Sequence, residues 1–198
     1  MKTFLLLTFT LALAPLSQAH SNPIPITSLP VTITQPGSYY FIGDLTAAPG
    51  TYRATIEIEA DNVTLDLEGH TMRTAPGAHV TIDIRGDHVV VRNGRIQVVQ
   101  SGQGIFTNPG FERAILEHLA LGGGGDCLVD SGTGTIVSYC TLGDTEGCPL
   151  IILNGTGLFV SNCHIASGRG GSISFRGPGS SESILININN GPWPTGIS

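Results

Sequence analysis

Ile82-Asp83-Ile84-Arg85-Gly86 is echoed by Leu128-Val129-Asp130-Ser131-Gly132, by Ile151-Ile152-Leu153-Asn154-Gly155 and by Ile173-Ser174-Phe175-Arg176-Gly177. Ile105-Phe106-Thr107-Asn108 joins the series with Pro109 in the Gly place. The first residues, Ile82, Ile105, Leu128, Ile151 and Ile173, return about every 23 residues, and a fixed period of this length marks a repeat architecture. Ile56 extends the series toward the N-terminus after a longer interval. A second short run follows each Gly: Val63-Thr64-Leu65, Val89-Val90-Val91, Ala114-Ile115-Leu116, Thr135-Ile136-Val137, Leu158-Phe159-Val160 and, after an insertion, Ile184-Leu185-Ile186. These runs are rich in β-branched residues and bounded by Gly, Asn or Asp, so they read as strands. Two residues beyond them stand Asn93, His118, Tyr139 and Asn162, which read as turn positions.

A strand of three to five residues cannot bury its own inner face. Coiling the chain stacks each strand on its equivalent in the next turn, about 4.8 Å away, in parallel pairing. The expected fold is therefore all-β, a solenoid of about six coils. Inner positions form columns of Ile, Val and Leu, and outer positions form columns on the surface. No apolar stripe at helical spacing lasts long enough to compete.

Composition narrows the function classes. Lys and Arg number 9 against 15 Asp and Glu, so the formal charge is 9 − 15 = −6. A Lys-poor anionic chain is not built to grip nucleic acid by its phosphates. With 40% hydrophobic residues it is no disordered acidic tail, and 27 Gly with 6% aromatics suits a turn-rich repeat. Residues 1–19 read as a secretory signal segment: Lys2, an apolar run from Phe4 to Ala14, and Ser17-Gln18-Ala19 before the cut. Cleavage there removes the only lysine and leaves 8 Arg against 15 acids, a charge of −7. The product begins at His20, which reads as a frayed terminus rather than a copper ligand. No segment is apolar and long enough for a membrane span. The expected address is secreted or extracellular, or periplasmic or on the cell surface in a bacterium.

The chain resembles the right-handed parallel β-helix superfamily, the pectate-lyase-like fold, and more narrowly secreted bacterial β-helix repeat proteins. The likeness is carried by Ile26-Thr27-Ser28-Leu29-Pro30-Val31-Thr32-Ile33-Thr34-Gln35-Pro36-Gly37-Ser38-Tyr39-Tyr40, by Asn62-Val63-Thr64-Leu65-Asp66-Leu67-Glu68-Gly69-His70-Thr71 and by Val89-Val90-Val91-Arg92-Asn93-Gly94. It implies a right-handed coil and says almost nothing of activity. The expected layout is an N-terminal cap over 20–53, repeats over 54–190 and a tail over 191–198. Tyr39, Tyr40 and Phe41 are expected to cover the first rung, and Trp193 to plug the far end or stack on a sugar.

The four cysteines, Cys127, Cys140, Cys148 and Cys163, permit three connectivities. Cys140 and Cys163 share a column one turn apart, and Cys127 and Cys148 are also about one turn apart. Either Cys127–Cys148 and Cys140–Cys163 are disulfides, or the cysteines are small buried hydrophobes stacked in the coil. Asn62-Val63-Thr64 and Asn154-Gly155-Thr156 are glycosylation sequons in a eukaryotic secretory setting, with Asn62 also read as a turn residue.

Chemistry on a solenoid sits on an outward strand face, where the stack fixes the side chains. One outward column reads Glu57, Asp83, Phe106, Val129, Ile152, Ser174; its neighbour reads Glu59, Arg85, Asn108, Ser131, Asn154, Arg176. Glu57, Glu59 and Asp83 gather acids at one end, and their oxygens suit calcium, which would bridge to an acidic polysaccharide. Resemblance to pectate lyases implies that Arg85 would then take the proton alpha to a uronate carboxyl, with Asp83 beside it. The same four residues also read as a solvated charge ladder across rungs. Asp66, Glu68 and His70 with Arg92 form a second polar group on the next face, and His70 and His88 are loop residues or metal ligands. Phe106, Val129 and Ile152 make an outward apolar patch that the tail or a partner covers, and Asp130 is an acid at an inward position. Two functional classes follow. One is a non-catalytic carbohydrate-binding or cell-surface structural solenoid, whose partner is an extracellular polysaccharide. The other is a small calcium-dependent lyase or other carbohydrate-active enzyme.

Overall fold

The structure, a computed structural model, describes residues 22–50, 52–74, 77–98, 102–166, 168–177 and 183–189. The signal segment, His20 and the tail with Trp193 lie outside the described residues. Within them every element is a strand, and no helix is long and apolar enough to cross a membrane.

Two parallel sheets form the walls of the coil. The smaller sheet stacks seven strands, Val31–Ile33, Ala54–Ile58, Val80–Ile84, Gln103–Thr107, Leu128–Asp130, Leu150–Leu153 and Ile173–Arg176, which bound about six turns. The larger sheet has 12 strands; its main path runs Ile24–Ile26, Gly37–Phe41, Val63–Asp66, Val90–Gln97, Ile115–Gly122, Ile136–Ser138, Phe159–Ser161 and Ile184–Ile186. Leu45–Thr46, Thr71–Arg73, Thr141–Leu142 and His164–Ile165 pair at its side as a continuation beyond a bend.

The bend is made where the sequence places it. Asn93, His118, Tyr139 and Asn162 have φ of 56°, 53°, 53° and 53°, and Asn187 continues the column at 53°. Left-handed backbone turns the strand through the corner and frees it to resume on the next wall, and Asn adopts that region at low cost. Side chains reinforce the column. Asn187 Nδ2 donates to Asn162 Oδ1 at 3.1 Å, and the His118 and Tyr139 rings stack with centroids 5.1 Å apart. The corner between the two sheets uses the same device at Asn62, His88 and Arg113, then at Gly134 and Gly157.

Val31, Ile56, Ile82, Ile105, Leu128, Leu150 and Ile173 form one inward column, each paired with the next. Ile56, Ile82, Ile105, Leu128 and Leu150 are fully buried. Burying an Ile or Leu side chain contributes about 1.5–3 kcal/mol, and the core is one continuous cluster along the axis. One expected member of the column is corrected: Leu150, not Ile151, pairs with Leu128 and Ile173. Ile151 pairs with Val129 and Ser174 on the outer face, so the outward column reads Phe106, Val129, Ile151, and Leu153 rather than Asn154 pairs with Arg176. The stretch expected as a cap supplies rungs of its own: Ile24–Ile26 pairs with Gly37–Phe41, and that strand with Val63–Asp66. Tyr39 and Phe41 point into the core, whereas Tyr40 faces outward.

Candidate functional site

The acidic cluster on the smaller sheet closes on itself. Glu57 and Asp83 are direct partners on adjacent rungs. Asp83 faces outward, yet only 1% of its side chain is exposed. Arg85 donates to Asp83 Oδ2 from Nε at 3.0 Å and from Nη2 at 2.8 Å, and Arg53 Nε lies 3.3 Å from the same oxygen. Asn108 Nδ2 donates to Oδ1 from the next rung. Both carboxylate oxygens thereby accept from donors of this chain, in a side chain that is almost wholly buried. The side chains of Glu57 and Glu59 make no hydrogen bond or ion pair among the described residues, where no group of three or more His, Cys, Asp or Glu is arranged to hold a metal ion. Calcium therefore does not fit the set Glu57, Glu59 and Asp83. Arg85 is equally engaged: a guanidinium that donates twice to a buried carboxylate is held in its protonated form, which cannot abstract a proton. The arrangement can tie three consecutive rungs together. It offers no open reacting group.

The larger sheet of the same coils builds a different surface. Ser38 and Thr64 pair across two rungs of the larger sheet, as do Tyr40 and Asp66, and Asp66 then pairs with Arg92. Tyr40, Asp66 and Arg92 thus form one outward column with a rung spacing of about 4.8 Å. With Pro23 and Glu68 they line an open groove of about 400 Å³. Its base is fixed by hydrogen bonds. Arg92 Nε donates to Asp66 Oδ2 at 2.7 Å, Asn93 Nδ2 donates to both Asp66 oxygens at 3.2 and 3.1 Å, and the Glu68 amide donates to Asp66 Oδ1 at 2.9 Å. Tyr39 is anchored by its hydroxyl on Gln35 O at 2.9 Å. The groove therefore presents an aromatic ring, two hydroxyls and a planar guanidinium–carboxylate pair, all on a rigid sheet. Sequence reasoning found Asp66, Glu68 and Arg92 as a group but placed Tyr40 in a cap. The alternation in Gly37-Ser38-Tyr39-Tyr40-Phe41 was the available signal, since it puts Ser38 and Tyr40 on one face and Tyr39 and Phe41 on the other. His70 joins a different contact, with Nδ1 3.6 Å from Asp44 Oδ1, and His88 serves the corner bend.

The outward apolar patch and the cysteines are two further features marked by the sequence. Val129 and Ile151 are buried and pack with Cys148 as a small cluster outside the main core, with Phe106 and Leu153 against it. The tail expected to cover them lies outside the described residues. All four cysteines are free and buried, which corrects both expected bridges. Cys127 belongs to the main core and Cys148 to the outer cluster, on different sides of the wall, so the two thiols do not face each other. Cys140 and Cys163 do stack on adjacent rungs, with the Cys140 amide donating to Cys163 Sγ at 3.4 Å. The hydrogen bond with Cys163 and then burial push the Cys140 thiol well above its ordinary range, and burial pushes Cys127 up to about 12.

Asp130 is inward, as the sequence indicated, paired between Thr107 and Ile152 and fully buried. Its Oδ1 accepts from the hydroxyls of Thr107 and Thr135, the latter at 2.7 Å, while Oδ2 has no partner. Burial raises its pKa, against the opposing hydrogen bonds from Thr107, Thr135 and the Gly132 amide. A Cβ on Gly155 would come within 2.6 Å of Oδ2, so the absent side chain makes room for the carboxyl.

No protein-family model, no curated protein and no solved structure matches this chain.

Proposed function

We propose that the protein is an exported, non-catalytic carbohydrate-binding solenoid of the pectate-lyase-like kind, with the Tyr40 groove as its glycan subsite. The single observation that supports this is the composition of that groove. Sugar rings are flat, with apolar C–H faces and polar edges, so they are bound by an aromatic side chain flanked by hydroxyls and planar charged groups. Tyr40, Ser38, Thr64 and the Asp66–Arg92 pair supply that combination within three rungs.

A uronate lyase would use Arg85 as its base, and the double hydrogen bond to Asp83 opposes that role. The experiment is a binding screen of soluble oligosaccharides by titration calorimetry, on the protein and on Tyr40→Ala. Binding that is lost in Tyr40→Ala, without loss of thermal stability, supports the proposal. Binding that survives the substitution, or release of unsaturated products from any polyuronate, would overturn it.

A further inference from the structure

The groove also carries a sign of charge. We infer that it takes a polysaccharide of hexosamines with free amino groups rather than a polyuronate; this rests on the carbohydrate-binding reading and adds the class of sugar. Arg92 is neutralised at 2.7 Å by Asp66, whose remaining lone pairs are filled by Asn93 and the Glu68 amide. The pair is therefore neutral, its carboxylate filled, while Nη1 and Nη2 of the half-exposed Arg92 keep N–H donors. Glu117, on the following rung, approaches the far side of Arg92 at 4.0 Å and tips the local balance further toward negative.

Glu68 is the lining carboxylate left over. It is exposed, makes no side-chain hydrogen bond among the described residues, and is held in place by its left-handed backbone, φ 50°, and by its amide on Asp66. A rim carboxylate with no cation of its own repels an incoming uronate and pairs with an ammonium. An amine-bearing sugar stacked on Tyr40 gains twice, since the ring face also attracts a cation. The whole chain reinforces this choice. With a formal charge of −6, its field steers polycations inward and polyanions away.

The test titrates the protein with three oligosaccharides of equal length at low ionic strength: β-1,4-glucosamine, its N-acetylated form, and galacturonate, at a pH where the amines are protonated. Oligolysine of matching charge is the fourth probe. The glucosamine oligomer is expected to bind at least several-fold more tightly than the N-acetylated one, with galacturonate and oligolysine weakest. Glu68→Gln should weaken glucosamine binding about fivefold, the factor carried by an exposed ion pair of about 1 kcal/mol, and so narrow the gap between the amine and its N-acetylated form. Glu68→Arg should bring galacturonate above glucosamine. Equal binding of the amine and its N-acetyl form overturns the inference while leaving a neutral-glycan subsite standing. Absence of binding by every oligosaccharide overturns both readings, and oligolysine binding as tightly as glucosamine reduces the effect to plain cation attraction and also overturns the inference.

Discussion

Asp130→Asn isolates the carboxyl group placed inside the coil. The amide oxygen can accept from Thr107 and Thr135 as Oδ1 does now, and the amide nitrogen takes the place of Oδ2, which has no partner. A protonated Asp130 would carry an equally unpartnered donor there, so at low pH the two proteins should be about equally stable. The direction at higher pH follows from linkage. Burial raises the folded-state pKa above the unfolded one, near 3.8, so the folded protein holds the proton more tightly. The stabilisation is complete below the unfolded value and is lost as pH rises through the folded one. The loss cannot exceed about 1.4 kcal/mol per pH unit for one proton. In a chain of this size about 1 kcal/mol moves Tm by about 2–4 °C. Thermal melts of both proteins in steps from acid to neutral pH provide the assay, and the difference between the curves removes every other titrating group. Asp130→Asn should match the wild type in acid and overtake it as the pH rises. A difference that stays flat, or a wild type that gains on the variant with rising pH, would refute the reasoning, because the hydroxyls and the Gly132 amide would then have outweighed burial.

Gly86→Ala should disrupt the corner between rungs, since a methyl there overlaps the Ala60 carbonyl; overpacking against backbone costs about 1–3 kcal/mol or more, read as a lower urea midpoint. Asp83→Ala should destabilise by about 1–3 kcal/mol, because it takes the acceptor from the partly buried Arg85 and from Asn108, and added calcium should leave the Tm of the wild type unchanged. Ile82→Ala, in the middle of the inward column, should cost about 2–5 kcal/mol by calorimetry. A thiol reagent should find no reactive cysteine in the native protein and 4 after denaturation, whereas 2 or fewer would restore a disulfide.

Much of the coil was legible because β-branched runs and turn residues report the same period. The left-handed corner at Asn93, His118, Tyr139 and Asn162 could be placed from spacing alone, although His and Tyr carry no strong preference for it. The register slipped at Leu150-Ile151-Ile152-Leu153 for a physical reason. Both faces of that strand are buried, so alternation between apolar and polar, the only marker of which side faces in, is missing. Asp130 is the inward acid that the spacing indicates, supported by Thr107 and Thr135, whose hydroxyls a pattern of hydrophobicity does not reveal. The site was read less well than the fold. Charges at Glu57, Asp83 and Arg85 announce themselves in a sequence, but Arg53 and Asn108, which close them off, come from other turns. The groove was missed at Tyr40 because three successive aromatics suggest a plug until the pleat sorts them onto opposite faces.

The pairing pattern also has a consequence in time. Leu128 meets Leu150, Ile82 meets Ile105, and Gly37 meets Val63, so a strand waits only for the next lap of chain before it has its partner. Such a polypeptide can assemble behind a narrow exit, lap by lap, with no distant segment required to complete it. Pulled from its ends, it should give way in a staircase of small, near-equal extensions, one lap per step.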